Sequence, residues 1–191
     1  MSPRKSSLNE LTKEMIVNEA REQFIEKDYQ QVSMRSIAKQ LSCSHGALYY
    51  HFENKAELFY AVIEGYFYAL NKQIEEIVLS SGESEQKLRH VLRSFIEFGL
   101  NHQSQYELMF MTRNKEVDGL SHDAANRSYQ TFAKSVHSLS SNVVPISDVY
   151  SVFVSLHGFV SHYRGFVKSY QDAEDAAFVH IEFLMKALHP A

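Results

Sequence analysis

The chain has 191 residues, 45% of them hydrophobic, which is enough for one core or for a small domain joined to a larger one. The single cysteine excludes an internal disulfide and suits a reducing compartment. The apolar runs are far shorter than the ~20 residues that span a bilayer, and the first residues form no apolar signal region. We therefore expect a cytoplasmic protein without a membrane partner.

Charge is distributed unevenly along the chain. The formal net charge of −4 on its own argues against a nucleic-acid-binding protein. However, the first 55 residues carry eight basic and seven acidic side chains, whereas the remainder carries eleven basic and sixteen acidic ones. This asymmetry permits DNA binding by the N-terminal part without predicting it.

The pattern of apolar residues predicts an all-α fold. Seven glycines and three prolines are too few for a protein built of strands and turns, and apolar residues recur at helical spacing. Ser33, Ser44 and Asn54 can cap helices, and Glu57 follows Asn54 at capping-box spacing. In chain order, the predicted helices cover residues 9–27, 33–41, 44–50, 54–79, 85–102, 105–111, 120–142, 146–170 and 173–188.

The second and third predicted helices are short and joined by a tight turn at Ser42 and Cys43. Behind a longer supporting helix, this arrangement predicts a helix-turn-helix, whose second short helix enters the major groove of DNA. The apolar residues that hold the pair together are Ile37, Ala38, Leu41, Leu48 and Phe52.

The stretch from Ser33 to Phe59, SMRSIAKQLSCSHGALYYHFENKAELF, resembles the DNA-binding domain of the tetracycline-repressor-like (TetR) family, and the resemblance extends over about residues 12–63. It implies a three-helix DNA-binding domain over residues 1–54 and a larger helical ligand-binding and dimerisation domain over residues 55–191. The implied function is that of a homodimeric transcriptional regulator. It would bind a pseudo-palindromic double-stranded DNA operator as a repressor, be released by a small, largely apolar effector, and need no cofactor.

The resemblance also implies a role for each residue of the DNA-binding surface. Ser42 stands where the family usually has glycine, and Ala47 where it often has threonine, so we expect a changed turn and a weaker phosphate contact. The implied contacts are Ser33 and Arg35 from the bracing helix, Ser44, His45, Gly46 and Ala47 on the recognition surface, Tyr49, Tyr50 and His51 at phosphates and base methyl groups, and Lys55 at a backbone phosphate.

The second half of the chain contains the candidate ligand site. Residues 106–110 and 156–160 resemble a subgroup with a WHG-type ligand domain, except that Leu156 stands where tryptophan is typical. The aromatic and methionine residues of this half either fill the core or line an apolar cavity. The candidate lining residues are Tyr66, Phe67, Phe98, Met109, Phe110, Phe132, Phe153 and His157, with Leu70 and Phe95 as further members.

The predicted helix over residues 146–170 has two contact faces. Apolar residues spaced alternately by three and four run from Ile146 to Val167, and a parallel row of small residues runs from Ser151 to Ser169. We expect the first row to pack against the last helix and the second to contact the partner subunit of a dimer.

Other interpretations concern single residues and the class of protein. Cys43 is either a buried structural thiol or a redox sensor. We expect no metal site, because His157 and His162 lie five residues apart on different helix faces. An enzyme would need a nucleophile with its base, or a phosphate-binding loop, and neither pattern is visible. A helical interaction module without DNA binding is the remaining alternative.

Overall fold

The computed structural model of the protein describes residues 11–140 and 143–188. Those residues contain α-helices, two short 3₁₀-helices (Tyr29–Gln31 and Tyr170–Ala173) and no β-strand, which confirms the predicted all-α fold. The predicted start of the first helix at Asn9 and the predicted end of the seventh at Asn142 lie outside the described residues. The helices are α1 (Lys13–Glu26), α2 (Met34–Gln40), α3 (His45–His51), α4 (Lys55–Leu79), α5 (Ser84–Asn101), α6 (Gln103–Phe110), α7 (Asp118–Leu139), α8 (Ile146–Tyr163) and α9 (Glu174–Leu188).

Side-chain caps fix where the short helices begin. The hydroxyl of Ser33 accepts a hydrogen bond from the Ser36 N–H at 3.1 Å, and that of Ser44 accepts from the Ala47 N–H at 3.2 Å. The Asn54 side chain accepts from the Glu57 N–H at 2.8 Å. Each cap satisfies a backbone donor that the first helical turn leaves without a partner, so the three predicted caps are confirmed.

The turn between α2 and α3 keeps a left-handed residue. Ser42 has a φ of 52°, a conformation that glycine adopts without steric cost and other residues adopt at a cost of roughly 1–2 kcal/mol. The N–H of Cys43 donates to the Ala38 carbonyl at 3.0 Å and closes the turn. Serine in place of glycine therefore leaves this left-handed turn in place and stores strain in it.

We expect Ser42→Gly to raise the free energy of unfolding by up to about 1 kcal/mol, because the relief of strain exceeds the extra backbone entropy of glycine in the unfolded chain. Urea denaturation at a fixed protein concentration measures it. Ser44→Gly, which changes the same residue type two positions later but at a φ of −74°, should lower stability instead. Equal destabilisation by both variants would contradict strain at Ser42.

The N-terminal helices share one apolar core with the start of α4. Ile37 and Leu48 are fully buried, as the helix-turn-helix prediction requires. Phe59, on the second turn of α4, packs edge-on against Phe24 and Tyr29 with ring centroids 4.9 and 5.1 Å apart. The α4 helix thus runs without a break from the helix-turn-helix into the second half of the chain. A boundary between residues 54 and 55 stays a prediction.

The remaining helices surround α4 and α5. Close approach of α5 to α8 depends on Gly99, because a Cβ there would lie 2.6 Å from the Val160 Cγ1 and 3.2 Å from the Tyr106 ring. This contact places the aromatic residues of α5, α6 and α8 side by side.

The prediction that one helix covers residues 146–170 is wrong. The α8 helix ends at Tyr163, and Gly165 follows with a φ of 85°. Gln103 holds the loop: its amide donates to the Val167 carbonyl at 2.9 Å and accepts from the Gly165 N–H at 3.0 Å. The predicted rows of apolar and small residues therefore run past the true end of the helix. Helical spacing alone cannot show that a side chain on another helix, here Gln103, hydrogen-bonds the backbone and ends the helix.

Candidate DNA-binding surface and ligand groove

The α3 helix presents one face to the core and the other to solvent. Leu48 is fully buried, whereas Tyr49 is 46% and Tyr50 is 86% exposed. His45 and Gly46 are also exposed, and the ring of His45 meets that of Tyr49 edge-on at 4.7 Å. Two tyrosine side chains are thus held exposed at the surface of a short, capped helix.

The other residues predicted to contact DNA differ in exposure and in whether their polar groups already form hydrogen bonds. Arg35 is exposed on α2, and Ala47 and His51 are half-buried. Ser33 and Ser44 are exposed, but their hydroxyls already accept the capping hydrogen bonds. The Ser44 hydroxyl proton is left to offer to a phosphate, whereas the Ser33 hydroxyl also donates to the Ser36 Oγ at 3.3 Å.

Lys55 lies differently from what its predicted role requires. Its half-buried ammonium donates to the Tyr29 carbonyl at 2.9 Å and lies 4.0 Å from the centroid of the Tyr29 ring. Part of its donor capacity is thus used inside the protein, which the sequence did not indicate.

Tyr29 links the N-terminal helices to the second half of the chain. Its hydroxyl donates to the Glu116 carboxylate at 2.9 Å. Burial and the neighbouring Glu116 raise the pKa of the Tyr29 phenol, so the phenol stays protonated and donates. Beside this bond, a cleft of about 720 Å³ separates residues 24–31 from residues on α6 and the segment after it.

Lys39 is a further candidate for a DNA contact that was not predicted from the sequence. It lies one turn after Arg35 on the exposed side of α2, and it forms no ion pair within the described part of the chain. The i, i+4 spacing of Arg35 and Lys39 was visible in the sequence and would have pointed to it.

Most of the predicted ligand-site residues meet in one aromatic cluster. Phe153 and Phe110 each lie 4.5 Å from the His157 ring, Phe132 lies 5.2 Å from Phe153, and Phe67 lies 5.1 Å from Phe110. Phe95 and Tyr106 join them. We call this set the aromatic cluster; its members are Phe67, Phe95, Tyr106, Phe110, Phe132, Phe153 and His157. Its rings are in direct contact, so it forms packed core.

Two predicted ligand-site residues lie apart from these rings. Tyr66 packs against the Arg21 guanidinium at 5.4 Å. Phe98 contacts His102 at 5.3 Å. A third predicted residue, Met109, is buried on α6 and does not line the groove between α6 and α8. Helical spacing in the sequence could not distinguish these residues from the ones that face the aromatic cluster.

A groove between α6 and α8 leads to the aromatic cluster. It has a volume of about 410 Å³, within the range of small-molecule sites. Phe110, Phe153 and His157 form its floor as cluster members, and Met111, Tyr150, Val154 and Ser161 complete it. Those last four residues were not among the predicted ligand-site residues, because three of them are exposed in the single chain and resemble ordinary surface residues.

His157 and Tyr106 form a buried polar pair in this cluster. The Tyr106 hydroxyl and the His157 Nδ1 are in hydrogen-bond contact. Burial lowers the pKa of His157 from 6.5 to about 4, so the imidazole is neutral at physiological pH. Burial raises the pKa of Tyr106, so the phenol keeps its proton. Tyr106 and His157 lie in the two stretches, residues 106–110 and 156–160, that resemble the WHG-type subgroup. That resemblance was the signal in the sequence that could have indicated their contact.

The α8 and α9 helices share an exposed apolar surface. We call it the α8–α9 face, and define it by Phe159, Tyr163, Val179 and Phe183, which line one shallow hollow; Val179 and Phe183 are 68% and 65% exposed. Beside it, His180 stacks on Phe159 with ring centroids 5.1 Å apart. Large apolar side chains in such a contiguous patch mark a surface that another molecule covers.

Within residues 11–140 and 143–188, no helix is long and apolar enough to cross a membrane. Nor do three or more His, Cys, Asp or Glu side chains come together there in a way that could hold a metal ion.

Two family models match the chain. The model of bacterial regulatory proteins of the tetR family matches residues 16–62, and the model of the tetracyclin repressor-like C-terminal domain matches residues 88–184. The first match contains α2 and α3 entirely, and the second alone spans just over half of the chain.

Individual proteins are also similar. The HTH-type transcriptional activator FasR of Mycolicibacterium smegmatis is 32% identical over 92 residues, which are 48% of this chain and 42% of FasR, so the match spans less than half of that relative.

Solved structures extend the likeness to the whole fold. The transcriptional regulator FadR of Bacillus subtilis, in complex with stearoyl-CoA, has a TM-score of 0.74 at 15% identity, with 93% of this chain and 100% of FadR covered. A TetR/AcrR-family transcriptional regulator of Aquifex aeolicus has a TM-score of 0.62 at 22% identity, with 92% and 96% covered. At these identities the structures show a shared fold.

Proposed function

The chain belongs to the tetR family of bacterial regulatory proteins and is a DNA-binding regulator of transcription, and from this we propose that it acts as a homodimeric repressor that a small, largely apolar ligand releases from its operator. The observation that carries the DNA-binding part is the outer face of α3, where Tyr49 and Tyr50 are exposed above a fully buried Leu48. A helix presented in this way can enter a major groove about 12 Å wide.

Lys55 tests the distinction between phosphate contact and base contact. Lys55→Ala should weaken binding to all duplexes alike and lower the slope of log affinity against log salt by about 1. It should also lower the free energy of unfolding, because the variant loses the Tyr29 contacts. Affinity titrations at several salt concentrations and urea denaturation measure the two effects. An unchanged salt slope with reduced stability would assign Lys55 to the core alone.

The α8–α9 face is the proposed dimer surface. Two copies of this face would bury Val179 and Phe183 against one another, as expected for the apolar centre of an interface. Gly158 is exposed on α8, and an added Cβ there would meet no atom within 4 Å. Of the predicted row, the exposed Ser151, Gly158 and His162 are therefore available to a partner helix, whereas Ser155 is half-buried in contact with His180.

We expect Phe183→Glu to weaken dimerisation by at least about 30-fold, because it places an unpaired carboxylate at the centre of the interface. Sedimentation velocity over a range of protein concentrations measures the change. Leu79→Glu is the control, since Leu79 is 84% exposed at the far end of α4. A dimer that is equally stable in both variants would place the interface elsewhere.

The α4 helix is the proposed link between ligand and DNA. Its first half packs on α1 through Phe59, and its middle reaches the aromatic cluster through Phe67 and Phe110. A ligand that favours one position of α6 or α8 would thereby bias α4, and with it the spacing of the two α3 helices in the dimer. By linkage, operator DNA must weaken the ligand by the same factor, typically ~5–150-fold.

Operator binding and transcription test this proposal together. Duplexes enriched by the protein from a random pool should shift in a gel at nanomolar protein, and the same sequence should lower expression of a downstream reporter. Raised expression would make the protein an activator, as FasR is named, and would leave the DNA-binding part intact. No enriched sequence would contradict the proposal as a whole.

A further inference from the structure

The groove between α6 and α8 has an apolar floor and few polar groups. Phe110, Met111, Phe153 and Val154 provide most of its lining. The polar side chains that line it belong to Tyr150, His157 and Ser161. None of the seven lining residues is Lys or Arg, so no side chain of the lining could pair with a ligand carboxylate as a fixed cation.

The hydrogen bond to Tyr106 determines which nitrogen of His157 carries the proton. Tyr106 is fully buried, and its hydroxyl has no other partner among the described residues. If His157 donated from Nδ1, the Tyr106 hydroxyl proton would be left buried without an acceptor, which is costly. Tyr106 therefore donates to Nδ1, and the proton of the neutral imidazole is on Nε2.

The Nε2–H of His157 then has no acceptor among the described residues, and Nε2 is not one of the fully buried atoms that lack a partner, so water or a ligand can reach it. Across residues 11–140 and 143–188, the hydrogen bond to Tyr106 is the one polar contact of this ring. The ring otherwise meets Phe95, Phe110 and Phe153. A donor fixed by packing on three rings, at the edge of an apolar groove, selects for a ligand oxygen.

We propose that the groove binds an apolar ligand with an uncharged carbonyl, such as an ester, ketone, amide or thioester, and that the Nε2–H of His157 donates to its oxygen. This inference rests on the proposed function, since it names the effector class of that site. A neutral donor stabilises a neutral acceptor without the desolvation cost that a buried carboxylate would add. Tyr106 is a positioning residue, which acts on the ligand through His157.

The test compares three probes that share an apolar chain: methyl octanoate, octanoate and nonane. Dissociation constants come from thermal shifts of the full chain at fixed protein concentration. Methyl octanoate should bind about 5–10-fold more tightly than nonane, the equivalent of one neutral hydrogen bond, and more tightly than octanoate. Its affinity should stay flat between about pH 6 and 8, because burial keeps the pKa of His157 at about 4.

Variants assign the donor. His157→Phe keeps an aromatic ring in the cluster and should remove the preference for methyl octanoate over nonane. Tyr106→Phe keeps its ring but frees Nδ1, so the imidazole can adopt either tautomer, and the preference should fall by a smaller factor. His122→Phe makes the same substitution at an exposed position on α7 outside the groove, and should change the preference by less than about twofold. Circular dichroism confirms that each variant is folded.

The outcomes separate this inference from the proposed function. Tighter binding of octanoate, above all if it strengthens towards pH 6, would show a cationic site and overturn the inference. A preference that survives in His157→Phe or disappears in His122→Phe would also overturn it, as would the absence of binding by all three probes. Binding as expected without any change in operator affinity would leave the inference standing and remove the effector from the proposed function.

Discussion

Replacing Phe95 with alanine should lower the free energy of unfolding by about 3–5 kcal/mol. Phe95 is 1% exposed and lies at the centre of the aromatic cluster, with ring centroids 5.0 Å from His157 and 5.5 Å from Phe153. The rings around it come from α6, α7 and α8, so they cannot all close the space that its removal leaves.

Urea denaturation measures this loss, at a fixed protein concentration because dimerisation contributes to stability. Phe166→Ala is the matched control: it removes the same side chain from a position that is 87% exposed, and should change stability by less than about 0.5 kcal/mol. A loss of under about 1 kcal/mol in Phe95→Ala would mean that the cluster is loosely packed, and that the effector could enter it directly.

The second large effect is expected on the affinity of the protein for operator DNA. Arg35→Ala and Tyr49→Ala should each weaken binding to the enriched operator by about 1–3 kcal/mol, or roughly 5–150-fold, because both side chains lie exposed on the helices that we propose meet the duplex. Their exposure also means that neither variant should unfold the protein. Fluorescence anisotropy with labelled operator, and with an unrelated duplex, separates specific from non-specific loss.

Lys134→Ala is the control for charge. Lys134 is exposed on α7, in the second half of the chain, so its removal changes the net charge as Arg35→Ala does without touching the helix-turn-helix. Operator affinity that falls equally in the two variants would show that long-range charge, and not the α2 surface, determines binding.

The sequence predicted the helix-turn-helix well because its signals are local. A cap such as Ser44 acts within three residues, and the burial of Leu48 follows from its spacing to Phe52. The pattern also predicted the tight turn at Ser42 and Cys43, and the resemblance added that glycine is usual at Ser42, which is the left-handed position.

The ligand site was harder to predict because it depends on contacts between distant residues. Helical spacing placed Phe153 and His157 on an inward face, but it placed Tyr66 and Phe98 there equally well, and these two lie elsewhere. The pairing of Tyr106 with His157 spans 51 residues, so no local pattern could indicate it. The end of α8 at Tyr163 was missed for the same reason, since Gln103 is far away in the chain.

Enrichment of duplexes from a random pool by the wild-type protein, followed by sequencing, tests the central claim most directly. A homodimer with one α3 helix per subunit should enrich an inverted repeat whose half-sites face the same side of the duplex, about one helical turn apart. Arg35→Ala and Tyr49→Ala proteins should enrich it poorly. Enrichment of no sequence, or of the same repeat by the wild type and both variants, would contradict DNA recognition through α2 and α3.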